Sequence, residues 1–245
     1  MNIHICTDYS LFPPYAIMIL LSCTAGFTLQ YILNVKRGIQ PMTSGFITLL
    51  SPFMSFFFAF LLTYAASGGQ KTGLSSMGGL FGMYLSVITL ALINRDKGST
   101  KITLENCTLV LPLMYSISKT GCFLAGCCRG IPYNGPFCVK YSGKVTETGC
   151  IFPVQLAETM VFFIIFAIGM IMLAKKCRHT SVYLLTLCAA SKGLLDFLRE
   201  SHIGKAVSLN QMLCLAAAAA GIIYAAASER ELRGNTDTVR ASLAK

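Results

Sequence analysis

Residues 154–174 read VQLAETMVFFIIFAIGMIMLA. Sixteen consecutive residues, from Thr159 to Ala174, carry no charge at all. With the turn before them they are long enough to cross about 30 Å of hydrocarbon, which needs roughly 20 apolar residues. A core helix of a soluble domain is shorter and shows a polar stripe. This stretch is therefore a membrane span over Val154–Ala174. Its polar side chains, Gln155 and Glu158, sit together at one end.

The rest of the chain agrees with that reading. Of its 245 residues 54% are hydrophobic and only 12% charged, against about 25% charged in ordinary soluble domains. The mean hydropathy is +0.64. Further apolar runs fall near Tyr15–Asn34, Thr43–Ala66, Gly78–Asn94, Leu104–Ser118, Ser181–Leu198 and Leu209–Ala227. The fourth is short and contains Pro112. The expected fold is an all-α integral membrane protein, a seven-transmembrane-helix bundle over residues 1–228 followed by a polar cytoplasmic tail, 229–245. Met1–Pro14 carries Asp8 and no Lys or Arg, so the first span is expected to be retained and not cleaved as a signal peptide.

Basic residues in short loops set orientation. Lys36, Arg37, Arg95, Lys97, Lys101, Lys175, Lys176, Arg178, Arg230, Arg233, Arg240 and Lys245 cluster after the odd-numbered spans. The other side holds Lys71, Lys119, Arg129, Lys140, Lys144, Lys192, Arg199 and Lys205, several of them beside span ends. The reading is N-terminus outside, C-terminus cytoplasmic. The net charge of +10 is then a topology signal with some attraction to anionic lipid. Nucleic-acid binding is excluded, because no soluble basic domain is present to carry it.

Polar residues inside a bilayer are costly and mark functional sites by default. With this orientation they gather at the outer end. Tyr15 opens span one and Met77–Gly82 opens span three. Lys119 closes span four, Gln155 and Glu158 open span five, Lys192, Asp196 and Arg199 lie in the outer part of span six, and Gln211 opens span seven. Lys192, Asp196 and Arg199 are spaced i, i+4, i+7, on one helical face, as are Gln155 and Glu158 at i, i+3. Two readings are open. The charges form an internal salt bridge tying helices together, or they form an anion site facing a cavity.

Five ordered blocks, MGGLFG, KTGCFLAGCCRG, FPVQLAE, KGLLDFLRE and LNQML, resemble the signature blocks of the prolipoprotein diacylglyceryl transferase family over about Tyr15–Leu213. The resemblance implies a multi-pass protein of the bacterial plasma membrane, needing no cofactor and no metal. It would transfer a diacylglyceryl group from phosphatidylglycerol to the lipobox cysteine thiol of a preprolipoprotein signal peptide. Carried over by position, it implies substrate contacts from Tyr15, Gly78, Gly79, Lys119, Gly121, Cys122, Gly130, Gln155, Glu158, Lys192, Asp196, Arg199 and Gln211. Lys119, Lys192 and Arg199 would hold the phosphate, with Asp196 and Glu158 orienting them.

The sequence departs from the family pattern where proton transfer is expected. Met77 stands in place of a histidine. The arginine-to-asparagine block reads Ser118, Lys119, Thr120, Gly121, Cys122, and Cys127 stands where a glutamate is usual. Phe152 replaces another histidine, and Lys192 an arginine; Lys keeps the charge but loses bidentate phosphate geometry. His202 is the only histidine on the outer face beyond the N-terminal segment, and a solvated loop histidine is its plainer reading. No residue is assigned as base. A non-catalytic phospholipid- or lipoprotein-binding relative, or a lipid-group transferase with another acceptor, therefore stands beside the main reading. A seven-helix receptor or transporter ranks last.

Cys122, Cys127, Cys128, Cys138 and Cys150 are spaced C-x4-C-C-x9-C-x11-C. That lacks the paired C-x2-4-C of structural zinc sites. Disulfides are open to an outer face, Cys138 with Cys150 being best placed. A substrate-handling thiol and inert packing stay open. Cys6, Cys23, Cys107, Cys177, Cys188 and Cys214 read as small apolar fillers.

Overall fold

A computed structural model describes residues 3–7, 13–70, 73–94, 97–143, 149–200 and 211–223. Lys71, Arg95, Lys144, His202, Lys205 and the tail 229–245 lie outside the described residues, so the expectations placed on them are not addressed.

The chain is mostly helical, with seven helices among the described residues. They are α1 (Pro14–Lys36), α2 (Pro41–Ala66), α3 (Ser76–Asn94), α4 (Lys97–Ala125), α5 (Val154–Ala174), α6 (Thr180–Asp196) and α7 (Gln211–Ile223). Four of them, α1, α2, α4 and α5, are long and apolar enough to cross a membrane. Their exposed positions are apolar: Leu20, Leu49, Phe53 and Met160 are each 65% exposed or more. In water such surfaces would aggregate; in hydrocarbon they are the solvated face.

Two helices and a small sheet differ from the sequence reading. Helix α4 runs from Lys97 to Ala125, well beyond Leu104–Ser118 at both ends. Pro112 lies inside it, and Pro52 inside α2. A membrane helix tolerates proline because neighbouring groups and local adjustment satisfy the freed carbonyl. Helix α6 stops at Asp196 rather than reaching Leu198. The fold is also not purely helical, since β1 (Ile3–Cys6) and β2 (Val139–Ser142) form a parallel two-stranded sheet, Ile3 opposite Val139 and Cys6 opposite Ser142. Ile3, His4, Ile5 and Cys6 are too few to give a convincing alternation, so the strand had no sequence signal.

The helices divide between two compact units. One holds residues 16–118, the other 1–15 and 119–245. In the first, Phe27, Ile47, Met83, Val87 and Cys107 form the core. Here α2 and α3 meet through glycine: a Cβ at Gly78 would run into the Phe58 carbonyl, and one at Gly82 into the Met54 carbonyl. Ser51 and Ser86 hydrogen-bond across the same seam at 2.7 Å. Small residues with a short polar contact are how membrane helices approach closely.

In the second unit Val139, Tyr141 and Ile151 are packed by Ile3, Ile5 and Phe123. A disulfide joins Cys138 to Cys150, as the sequence reading allowed. Residue 151 also pairs with Val139, its N–H donating to the Val139 carbonyl at 3.0 Å and the reverse. The connection between α4 and α5 is thereby pinned as a folded layer.

The two neighbouring glycines of α3 give a contrast. An added methyl at Gly79 meets the Ser55 carbonyl at 3.8 Å and the Ala59 methyl at 3.9 Å, ordinary contacts. Gly82→Ala is therefore expected to destabilise the protein by about 1–3 kcal/mol through overpacking. Gly79→Ala should leave it unchanged or slightly more stable, since Ala gains up to about 1 kcal/mol of helix propensity. Thermal unfolding in detergent of the two variants measures the difference; equal shifts would contradict this seam.

Candidate functional site

The second unit holds five charged side chains in one network. Glu158, on the second turn of α5, is fully buried. Its Oε2 receives Lys119 Nζ of α4 at 3.1 Å. Its Oε1 receives Lys192 Nζ of α6 at 3.2 Å and an Arg199 guanidinium nitrogen at 2.6 Å. Asp196 Oδ1 takes Lys192 Nζ at 3.1 Å and Arg199 Nε at 3.2 Å. Three cations share two carboxylates, which leaves one net positive charge.

Local structure explains why these residues converge. Lys192 and Asp196 are one turn apart on α6, so one helical face presents both. Arg199 reaches them by a different route from the continuous face expected, because α6 has already ended. It lies in a bridge with Gly130, fixed by Ile131 N–H to the Leu198 carbonyl at 3.0 Å and Glu200 N–H to the Arg129 carbonyl at 3.0 Å. Gly130 is required there. A Cβ would collide with the Phe152 carbonyl and lie 3.2 Å from that of Leu198. The motif glycine thus allows the backbone approach that places Arg199.

The segment before Gly130 is a helix cap. Gly126 has φ 67°; its N–H donates to the Phe123 carbonyl at 3.3 Å, and Cys127 N–H to the Cys122 carbonyl at 3.1 Å. This is the Schellman pair of bonds that ends a helix on a left-handed residue. It folds the chain back, so that the Sγ atoms of Cys122, Cys127 and Cys128 all lie within 4.8 Å of one another. Cys128 is itself left-handed at φ 54°, a costly conformation for a non-glycine residue. Gln155, fully buried, donates Nε2 to the Cys127 carbonyl at 2.8 Å and braces the turn from α5. Thiol hydrogen bonds from Cys122 and Cys127, then the charges of Lys119 and Arg199, hold the Cys128 thiol below its ordinary range. Tyr15 stands half-buried on the first turn of α1.

The structure thus brings Lys119, Gln155, Glu158, Lys192, Asp196 and Arg199 together, with Cys122 and Gly130 on the adjoining segment. Gln211, buried at the start of α7, donates Nε2 to the Gly193 carbonyl at 3.5 Å beside Lys192. Gly121 is buried on α4 between Lys119 and Cys122. Gly78 and Gly79 belong to the other unit, where Gly78 serves the α2–α3 seam.

Sequence reasoning missed two things. Neither spacing nor the family blocks show that Cys127 and Cys128 meet Cys122, whereas Gly126 after a long helix signals a reversal that returns them to it. It also placed nearly all intramembrane polar groups at the outer end. In the first unit, Arg37 donates to Asn106 Oδ1 at 2.7 Å and to Glu105 at 2.6 Å, and Asn106 donates to Asn34 Oδ1 at 2.8 Å. Gln30, one turn before Asn34, is fully buried. The i, i+4 spacing of Gln30 and Asn34 inside an apolar span was the available signal.

The sequence model described as prolipoprotein diacylglyceryl transferase matches residues 12–227. The chain belongs to that family. Prolipoprotein diacylglyceryl transferases are membrane-bound transferases, in keeping with the apolar helices. No match is found among curated proteins.

Removing one partner from a buried ion cluster strands the others. Glu158→Ala is expected to cost about 3–5 kcal/mol. The Arg37–Glu105 pair is a fair control, its side chains 27% and 33% exposed; Glu105→Ala should cost about 1 kcal/mol or less. Thermal denaturation in detergent compares them, and equal losses would contradict the central place of Glu158.

Proposed function

We propose that the chain is a transferase of the bacterial plasma membrane that moves a diacylglyceryl group from phosphatidylglycerol to a lipobox cysteine thiol. The N-terminus would lie outside, with the charge network near the outer surface. The observation that carries this reading is the net positive charge of the Lys119–Glu158–Lys192–Asp196–Arg199 network, held among apolar helices in a chain of this family. A phosphodiester supplies the one negative charge that such a network lacks.

The reaction breaks a glyceryl carbon–oxygen bond and leaves glycerol phosphate carrying additional negative charge. Groups aimed at charge that develops in the transition state lower the barrier most. Lys119 and Arg199 are the residues assigned that role, with Lys192 holding the carboxylates in register. Gln155, Gln211 and Tyr15 would orient the lipid glycerol or the acceptor, and Gly121 would leave room for them. Glu158 and Asp196 keep three cations in one place without fully neutralising them. Met77, standing at a histidine position of the family, favours a second reading in which the chain binds phospholipid or lipoprotein without turnover.

Expression in a strain depleted of its own transferase separates the two readings. Restored diacylglyceryl modification of a reporter lipoprotein is expected, with Lys119→Ala and Arg199→Ala each lowering the rate about 10²–10³-fold. No modification, with the protein folded in the membrane, would remove this reaction and leave the binding reading or transfer to another acceptor.

A further inference from the structure

We infer that Cys122, Cys127 and Cys128 form a three-thiolate site for a divalent thiophilic cation of the zinc class, and that the acceptor thiol takes its fourth position. The inference deepens the transferase reading and rests on it for the catalytic role, though not for the binding site itself.

The geometry comes from the helix cap. Tetrahedral zinc holds sulfur at about 2.3 Å, which separates its ligands by about 3.8 Å. The three Sγ atoms lie within 4.8 Å of one another, a distance that small χ1 adjustments close. Cys122 is buried on α4, whereas Cys127 and Cys128 are exposed, so the ligand set has a closed side and an open side. Three protein ligands with one open position is the arrangement of catalytic zinc; structural zinc has all four filled by protein. Gln155 holds the Cys127 carbonyl, giving the turn support from a second helix. The Cys138–Cys150 disulfide ties the following loop and leaves these three thiols free.

The chemistry fits the residues this chain lacks. A thiol must become a thiolate before it attacks carbon, and at its free pKa of about 8.5 it is mostly protonated near neutrality. The histidine position that would take the proton holds Met77. A thiol that coordinates a divalent metal loses its proton outright, so metal binding replaces the base. The proton passes to water as the acceptor thiol enters. Its sulfur then forms a bond to the glyceryl carbon, the carbon–oxygen bond to phosphate breaks, and the electron pair leaves on glycerol phosphate beside Lys119 and Arg199. Thiol and phosphodiester become thioether and glycerol phosphate, with no net oxidation.

The test uses the full-length protein in detergent with Cd2+ as probe. One equivalent is expected to give a sulfur-to-cadmium charge-transfer band, retained in Cys177→Ser. The band should vanish in the Cys122→Ser, Cys127→Ser, Cys128→Ser triple variant. Because Cys122 is buried, the exposed Cys128→Ser change serves as the second variant, and it should weaken Cd2+ binding about tenfold or more. An unchanged band in both variants, or thiol counting that finds two of the three cysteines joined as a disulfide in protein isolated from cells, overturns the site. Lipidation that persists without Cd2+ or Zn2+ binding overturns it and leaves the transferase reading standing. Metal binding at these cysteines without lipidation keeps the site and removes the transferase role.

Discussion

Glu158 is the interaction on which the second unit depends. A carboxylate removed entirely from solvent inside an apolar helix costs several kcal/mol unless its charge is met at close range. Here it is met three times, from α4, from α6 and from the segment after α6. Each contact joins a different element to α5. Asp196 repeats the pattern on a smaller scale by gripping Lys192 and Arg199. The arrangement is structural and electrostatic at once, because the carboxylates that hold the elements together fall one charge short of neutralising the cations.

The backbone devices around Glu158 serve the same end. Gly130 permits the close pass by which Arg199 enters the network, and Gly126 reverses the chain so that the cysteine-rich turn lies next to Lys119. These two glycines do different work. One removes a clash between strands of backbone, and the other supplies a left-handed dihedral at a helix end. Both belong to the stretch from Lys119 to Gly130, which explains how a short motif can position cations and thiols together.

Much of this was legible in the sequence. Val154–Ala174 is apolar over the length of a bilayer, and α5 has those bounds. Lys192 and Asp196 are one turn apart, and they do pair with each other. The Cys138–Cys150 disulfide is one of the readings left open by two loop cysteines twelve residues apart. What escaped has a physical reason in each case. Arg199 looked like a third residue on a helical face, because spacing cannot show that α6 ends at Asp196 and that a bridge to Gly130 completes the geometry. The β1–β2 pair joins segments more than a hundred residues apart, beyond any local pattern. The thiol cluster was hidden because ligand-spacing rules count residues along a chain, whereas a Schellman turn decides which of them meet.

The central claim is that the buried network keeps a positive charge for a lipid phosphodiester. Native mass spectrometry of the purified protein exposed to equal amounts of phosphatidylglycerol and phosphatidylcholine tests it most directly. The account predicts preferential retention of phosphatidylglycerol by the wild-type chain and loss of that preference when Lys119 is changed to Met. Equal retention of the two lipids by both proteins would contradict it.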